Sequence, residues 1–168
     1  MKDIIILNSK DRKLILKSLN MQFGIEELPK DLVYFCYMKR ERVQVVNRAI
    51  FEMENIEKVR INALGMYFGT IMKDGFRPSL EALHMLKDQI TKYVYEVDEA
   101  TRNKWIEGQD LEIDNPEWEH YYVVIKHNND FLGIGKVKNQ VILNYVPKSR
   151  KIKEVFKETS VDENVIEE

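Results

Sequence analysis

Cysteine is nearly absent from this 168-residue chain: Cys36 stands alone, inside the apolar run Val33-Tyr34-Phe35-Cys36-Tyr37-Met38. Neither a disulfide framework nor a thiolate zinc site can be built from it, and a reduced, cytoplasmic setting is expected. The N-terminus offers only four consecutive apolar residues, Ile4–Leu7, before charges return. A signal-peptide core is longer and a bilayer span needs ~20 residues, so no membrane association is expected. Histidine is scarce too, and His84, His120 and His127 have no partner at metal-ligand spacing. No metal is expected.

Motifs of catalysis are equally missing. There is no Walker lysine loop, no nucleophile elbow and no Cys/His nucleophile pairing. Gly133-Ile134-Gly135 looks like half of a dinucleotide fingerprint, but it falls within a predicted strand, whereas phosphate cradling needs a strand-to-helix turn. A structural role for the glycines is the stronger reading. The carboxylates Glu112, Asp114, Glu117 and Glu119 read as an acidic solvated loop rather than a general acid–base pair. The chain is therefore expected to be neither an enzyme nor the holder of a cofactor.

What is present is a globular composition, 44% hydrophobic and 32% charged. The net charge of −2, from 26 basic and 28 acidic residues, lacks the overall basicity of many nucleic-acid-binding domains. Its distribution is uneven. Residues 1–90 carry 15 Lys/Arg against 12 Asp/Glu, residues 91–155 carry 10 against 11, and residues 156–168 carry 1 against 5. An acidic tail, read as disordered, masks a more basic body.

Along residues 1–90 helix and strand signals alternate. Ser9 is predicted to cap a helix to about Asn20, with Leu14, Ile15, Leu16 and Leu19 on one face and Gly24 beyond its end. Leu32–Met38 and Val43–Val46 read as a strand pair across Lys39-Arg40-Glu41-Arg42. A second helix is predicted over 47–57, an apolar segment over Leu64–Met72, and a short third helix from Pro78 to Leu86. After residue 90 the pattern changes to a strand at Lys92–Val97, a helix Glu99–Glu107 between Asp98 and Gly108, and then strands at Tyr121–His127, Phe131–Val137 and Val141–Val146. This is an α+β chain: a mixed N-terminal unit, 1–90, packed on a small β-barrel, 91–155, with one helix across an opening. No flexible linker separates the two.

Phe131–Lys153 contains Lys136, Lys138, Lys148, Arg150, Lys151 and Lys153 without one Asp or Glu. Alternation along a strand puts Lys136 and Lys138 on one face, and Tyr145 is available to stack or to pack. Such a face can follow phosphates. A solvated strand end followed by a basic segment explains the charge equally well, and on charge alone the two readings stand level.

Three patches in order break that tie. Lys92-Tyr93-Val94-Tyr95-Glu96-Val97-Asp98-Glu99-Ala100, Ile106-Glu107-Gly108-Gln109-Asp110-Leu111 and Phe131-Leu132-Gly133-Ile134-Gly135-Lys136-Val137 resemble a PUA domain, the RNA-binding pseudo-barrel named for pseudouridine synthases and archaeosine transglycosylases. Upstream, Arg42–Met53, Leu64-Gly65-Met66-Tyr67-Phe68-Gly69-Thr70 and Phe76–Leu86 are similar to the pre-PUA α/β domain of the nuclear-import-seven family of ribosome-biogenesis factors. The resemblance covers about residues 5–155. The loop 109–120 is shorter and more acidic than the family pattern, and nothing after Glu154 matches it.

The resemblance implies a non-enzymatic protein that binds ribosomal or precursor RNA during ribosome assembly. It implies a basic RNA-contacting cluster at the far end of the PUA domain, which Pro147-Lys148-Ser149-Arg150-Lys151-Ile152-Lys153 resembles, and an N-terminal domain that docks protein partners. Arg40, Arg42 and Arg48 extend that path or form surface ion pairs with Glu41 and Glu52. Two other functions fit the same residues: an RNA-targeting subunit for a separate RNA-modifying enzyme such as a methyltransferase, and a protein–protein adaptor.

Overall fold

The computed structural model describes residues 4–37, 41–54 and 63–152. Lys153, Arg40 and the acidic tail lie outside the described residues, as does the end of the helix predicted over 47–57. The chain folds as mixed helices and strands around two sheets.

The first sheet is an antiparallel meander of β1 (Ile4–Ile6), β2 (Leu32–Tyr37), β3 (Arg42–Asn47), β4 (Met66–Met72) and β5 (Gly75–Pro78). The helix α1 (Ser9–Phe23) packs on it through Ile15, Leu19 and Phe23, an i, i+4, i+8 stripe. Asn8 rather than Ser9 is the cap: its side chain accepts from the amides of Lys10 and Asp11, while the Asp11 carboxylate accepts from the Asn8 amide. This reciprocal box starts the helix, and Gly24 ends it at φ 79° with its amide on the Asn20 carbonyl. Leu14, expected on the buried face, is 60% exposed because the stripe is narrower than the sequence pattern.

Two further helix expectations change. Arg48–Glu52 forms only a 3-10 turn capped by Asn47, with no buried residue to stabilise anything longer. Pro78 ends strand β5 instead of opening a helix; Ser79 caps α2 (Leu80–Met85), its hydroxyl accepting from the Ala82 amide and donating to the Tyr67 carbonyl. Proline is tolerated at Pro78 because β5 is an edge strand, paired on one side only.

The second sheet, β6 (Val94–Glu96), β8 (Tyr122–His127), β9 (Asp130–Lys138), β10 (Val141–Asn144) and β7 (Leu111–Glu112), curls into a half-barrel. Only the β6–β8 pair is parallel. Helix α3 (Glu99–Glu107) lies against it between the predicted caps, Asp98 accepting from the Thr101 amide and Gly108 at φ 93°. Asn139 and Gln140, both at positive φ, make the two-residue turn from β9 to β10.

Trp105 fixes the helix to the half-barrel. It is fully buried, donates from Nε1 to the Leu132 carbonyl at 3.3 Å, and lies against β9 where Leu132 is extra in the ladder opposite β8. The glycine pair makes room for it. A Cβ on Gly133 would lie 3.3 Å from Trp105 Nε1 and one on Gly135 3.0 Å from Trp105 Cη2 and 2.7 Å from the Leu143 carbonyl oxygen. Asn144 then closes the end of α3, donating to the carbonyls of Trp105 and Gln109. The structural reading of the glycines is the one the packing supports.

One hydrophobic cluster runs from α1 and the first sheet through α2 to Tyr122, Val124, Phe131 and Ile134 of the second sheet. The His84 Nε2–H donates across this junction to the Phe131 carbonyl at 3.1 Å. Buried apolar contact of this kind holds the two sheets in one arrangement. Cys36 is buried on β2, and burial pushes its thiol above the ordinary range, the mark of an unreactive cysteine.

Candidate nucleic-acid interface

Two clefts open along the seam between the sheets. The first, about 630 Å³, lies between Lys17 of α1, Asp74 of the β4–β5 turn and the Tyr121 and Lys136 side of the half-barrel. The second, about 380 Å³, has Arg42, Tyr67, Arg77 and Glu81 on one wall and Tyr145 and Arg150 on the other.

In the first cleft Lys136 forms an ion pair with Asp74 and lies 5.1 Å from the centre of the Tyr122 ring. The hydrogen bond from Lys136 holds the Asp74 carboxyl below its usual range and raises the lysine in turn. Tyr121, 42% exposed, is stacked on Tyr93 with ring centres 4.5 Å apart. A flat aromatic pair beside Lys17, Lys92 and Lys136 gives this cleft both a stacking surface and cations.

The second cleft is built from arginine–tyrosine pairs. Arg42 lies over the Tyr67 ring at 5.5 Å and Arg77 over the Tyr145 ring at 5.1 Å, the latter joining the two sheets. Arg150 forms an ion pair with Glu81, a second link across the seam. Burial works to raise the Glu81 carboxyl, but hydrogen bonds from Arg150, the Glu81 amide and Ser79, together with the Arg150 charge, outweigh it and leave the group below its usual range. Tyr122 lies 6.3 Å from Tyr145 and connects the two clefts.

The five predicted basic residues among the described ones, Lys136, Lys138, Lys148, Arg150 and Lys151, do not line one cleft. Lys136 and Arg150 line different clefts, each held by a carboxylate that sequence reading did not place there. Lys138 is exposed at the last position of β9, two residues beyond Lys136 and two strands from Glu112, where Glu119 also accepts from the Asn139 amide. Lys148 is exposed in a 3-10 turn, Lys148–Arg150, beside the second cleft. Lys151 lies along the end of α3, its Nζ donating to the Gly108 carbonyl at 3.3 Å and its stem filling the space a Gly108 side chain would need. Lys153 lies outside the described residues.

Residues from the first sheet complete what the half-barrel lacks. Arg42 was legible in sequence and stacks on Tyr67 rather than pairing with Glu41. Arg77 and Tyr67 carried no signal: each is an isolated residue in a strand, and only the fold brings them opposite Tyr145. Among the described residues no group of three or more His, Cys, Asp or Glu side chains is placed to hold a metal, and no helix is long and apolar enough to cross a membrane.

Residues 92–152 match the family model of the PUA domain of the methyltransferase RsmF. No curated protein matches the chain. Among solved structures, the crystal structure of the hypothetical protein PH0734.1 from the hyperthermophilic archaeon Pyrococcus horikoshii is similar in fold, with a TM-score of 0.55 at 18% identity over 90% of this chain and 99% of that one. The curled sheet, the helix pinned by Trp105 and the family match together identify residues 92–152 as a PUA-like domain.

Proposed function

We propose that the protein binds RNA through this PUA-like domain, as a non-enzymatic factor acting on ribosomal or precursor RNA in ribosome assembly. The observation that carries the reading is the family match over the half-barrel, a module of RNA recognition. The seam supports it with what unpaired RNA requires: guanidinium and ammonium groups for phosphates, and tyrosine faces for bases. The first sheet supplies a protein-docking edge at β1, where Ile5 and Ile6 are both more than half exposed.

A second reading has a specific observation in its favour. The matched model is the PUA domain of a methyltransferase, which fits a subunit that brings RNA to a separate modifying enzyme. Crosslinking in cells with sequencing of the attached RNA tests the choice. The ribosome-assembly reading expects ribosomal precursor RNA to dominate without an associated methyltransferase. Stoichiometric co-purification of a methyltransferase would favour the targeting role, and recovery of no RNA above background would leave the adaptor reading.

A further inference from the structure

We propose that the 380 Å³ cleft between the sheets is a slot for one unpaired RNA nucleotide, held beside the Arg42–Tyr67 pair of one wall and the Arg77–Tyr145 pair that bridges the two walls. The inference rests on the RNA-binding reading and adds where on the seam a base is held.

The cleft has the size of a small ligand site, at the low end of the ~300–1,000 Å³ that such sites span. It carries Arg42, Arg77 and Arg150 against the single carboxylate Glu81, a net charge of +2 before any ligand enters. That sign fits a nucleotide phosphate. Its lining includes the apolar Ile106, Ile134 and Val146, so a base edge entering it has carbon to pack on.

The geometry favours a planar occupant. Tyr145 is 37% exposed with its ring under the Arg77 guanidinium; Arg77 comes from β5 and Tyr145 from the segment that follows β10. A base can stack on the outer plane of that guanidinium or on the open part of the ring, and both surfaces are sequence-tolerant. Tyr67 and Arg42 repeat the arrangement on the first sheet. A paired base is too deeply stacked to reach between them, so the slot selects loops, bulges and ends.

The test uses the full chain and an RNA hairpin selected from a pool with eight randomised loop positions, scanned with one abasic nucleotide at a time. The slot expects one loop position at which removing the base weakens binding about tenfold, with smaller effects elsewhere. In Tyr145→Ala and in Arg77→Gln, checked for an intact fold by circular dichroism, that position should no longer matter. A flat scan, or the same sensitive position in wild type and both variants, would overturn the slot while leaving RNA binding in place. Failure to select any hairpin would overturn the RNA reading itself, and the slot with it.

Discussion

Replacing Trp105 with alanine is expected to remove about 3–5 kcal/mol of stability, the cost of emptying a large buried site that cannot collapse. Three observations make the site rigid. The ring is fully buried, its Nε1 is hydrogen-bonded to the Leu132 carbonyl, and β9 approaches it closely enough that neither Gly133 nor Gly135 could carry a side chain unchanged. Loss of the ring leaves α3 without its anchor and the Leu132 carbonyl without its partner. For a chain of this length the midpoint of thermal unfolding should fall by roughly 10 °C or more. Trp105→Phe, which keeps most of the volume and loses the hydrogen bond, should lie between. Differential scanning calorimetry reads both, and a shift of only a degree or two in Trp105→Ala would mean that α3 does not depend on this contact.

Charge removal along the seam is the second large expected effect. Changing Arg42, Arg77 and Lys148 together to alanine removes three cations in or beside the second cleft. Each phosphate contact on a single strand contributes about 0.7 to the salt slope, so the log–log slope for unpaired RNA should fall by up to roughly 2, and affinity at low salt roughly a hundredfold. Lys10, Lys13 and Lys87 are exposed but lie away from this cleft, and their joint replacement is the control. Lys17, otherwise a natural member of that control, is excluded because it lines the first cleft. Equal losses from the two sets would mean diffuse attraction to the whole surface. Stability should change little in the control set, because exposed charges contribute only tenths of a kcal/mol, and should fall by about 1–2 kcal/mol in the first set, which loses the Arg42–Tyr67 and Arg77–Tyr145 stacks.

The fold was legible where local chemistry decides it. Asp98 and Gly108 bracket α3 because a side-chain acceptor at one end and a left-handed glycine at the other are written in adjacent residues. The hairpin at Asn128 and the strands on either side follow from alternation and turn chemistry in the same way. The misplaced helix starts have local causes too. Asn8 and Ser9 are both good caps, and Asp11 decides between them by bonding back to the Asn8 amide. Pro78 suits a helix start as well as an edge strand, and its pairing with Gly69 settles which.

The interface was less legible because it is made of long-range contacts. A run of six cations without an acid reads as one face, yet two of the acids that offset it, Asp74 and Glu81, stand more than sixty residues upstream of Lys136 and Arg150. Alternation put Lys136 and Lys138 on one side of β9, yet only Lys136 meets a carboxylate of the first sheet's β4–β5 turn, and residue spacing holds no information about that contact. Arg77 opposite Tyr145 is a product of how the sheets pack, and residue spacing does not encode it.

The most direct test of RNA recognition at the seam is the affinity of the purified chain for one RNA sequence presented as an unpaired loop and as a continuous duplex, measured across a range of salt. The account predicts tighter binding of the loop at every salt concentration, with a residual preference at high salt where phosphate attraction is screened and stacking remains. Equal affinity for the two forms, vanishing together as salt rises, would contradict it.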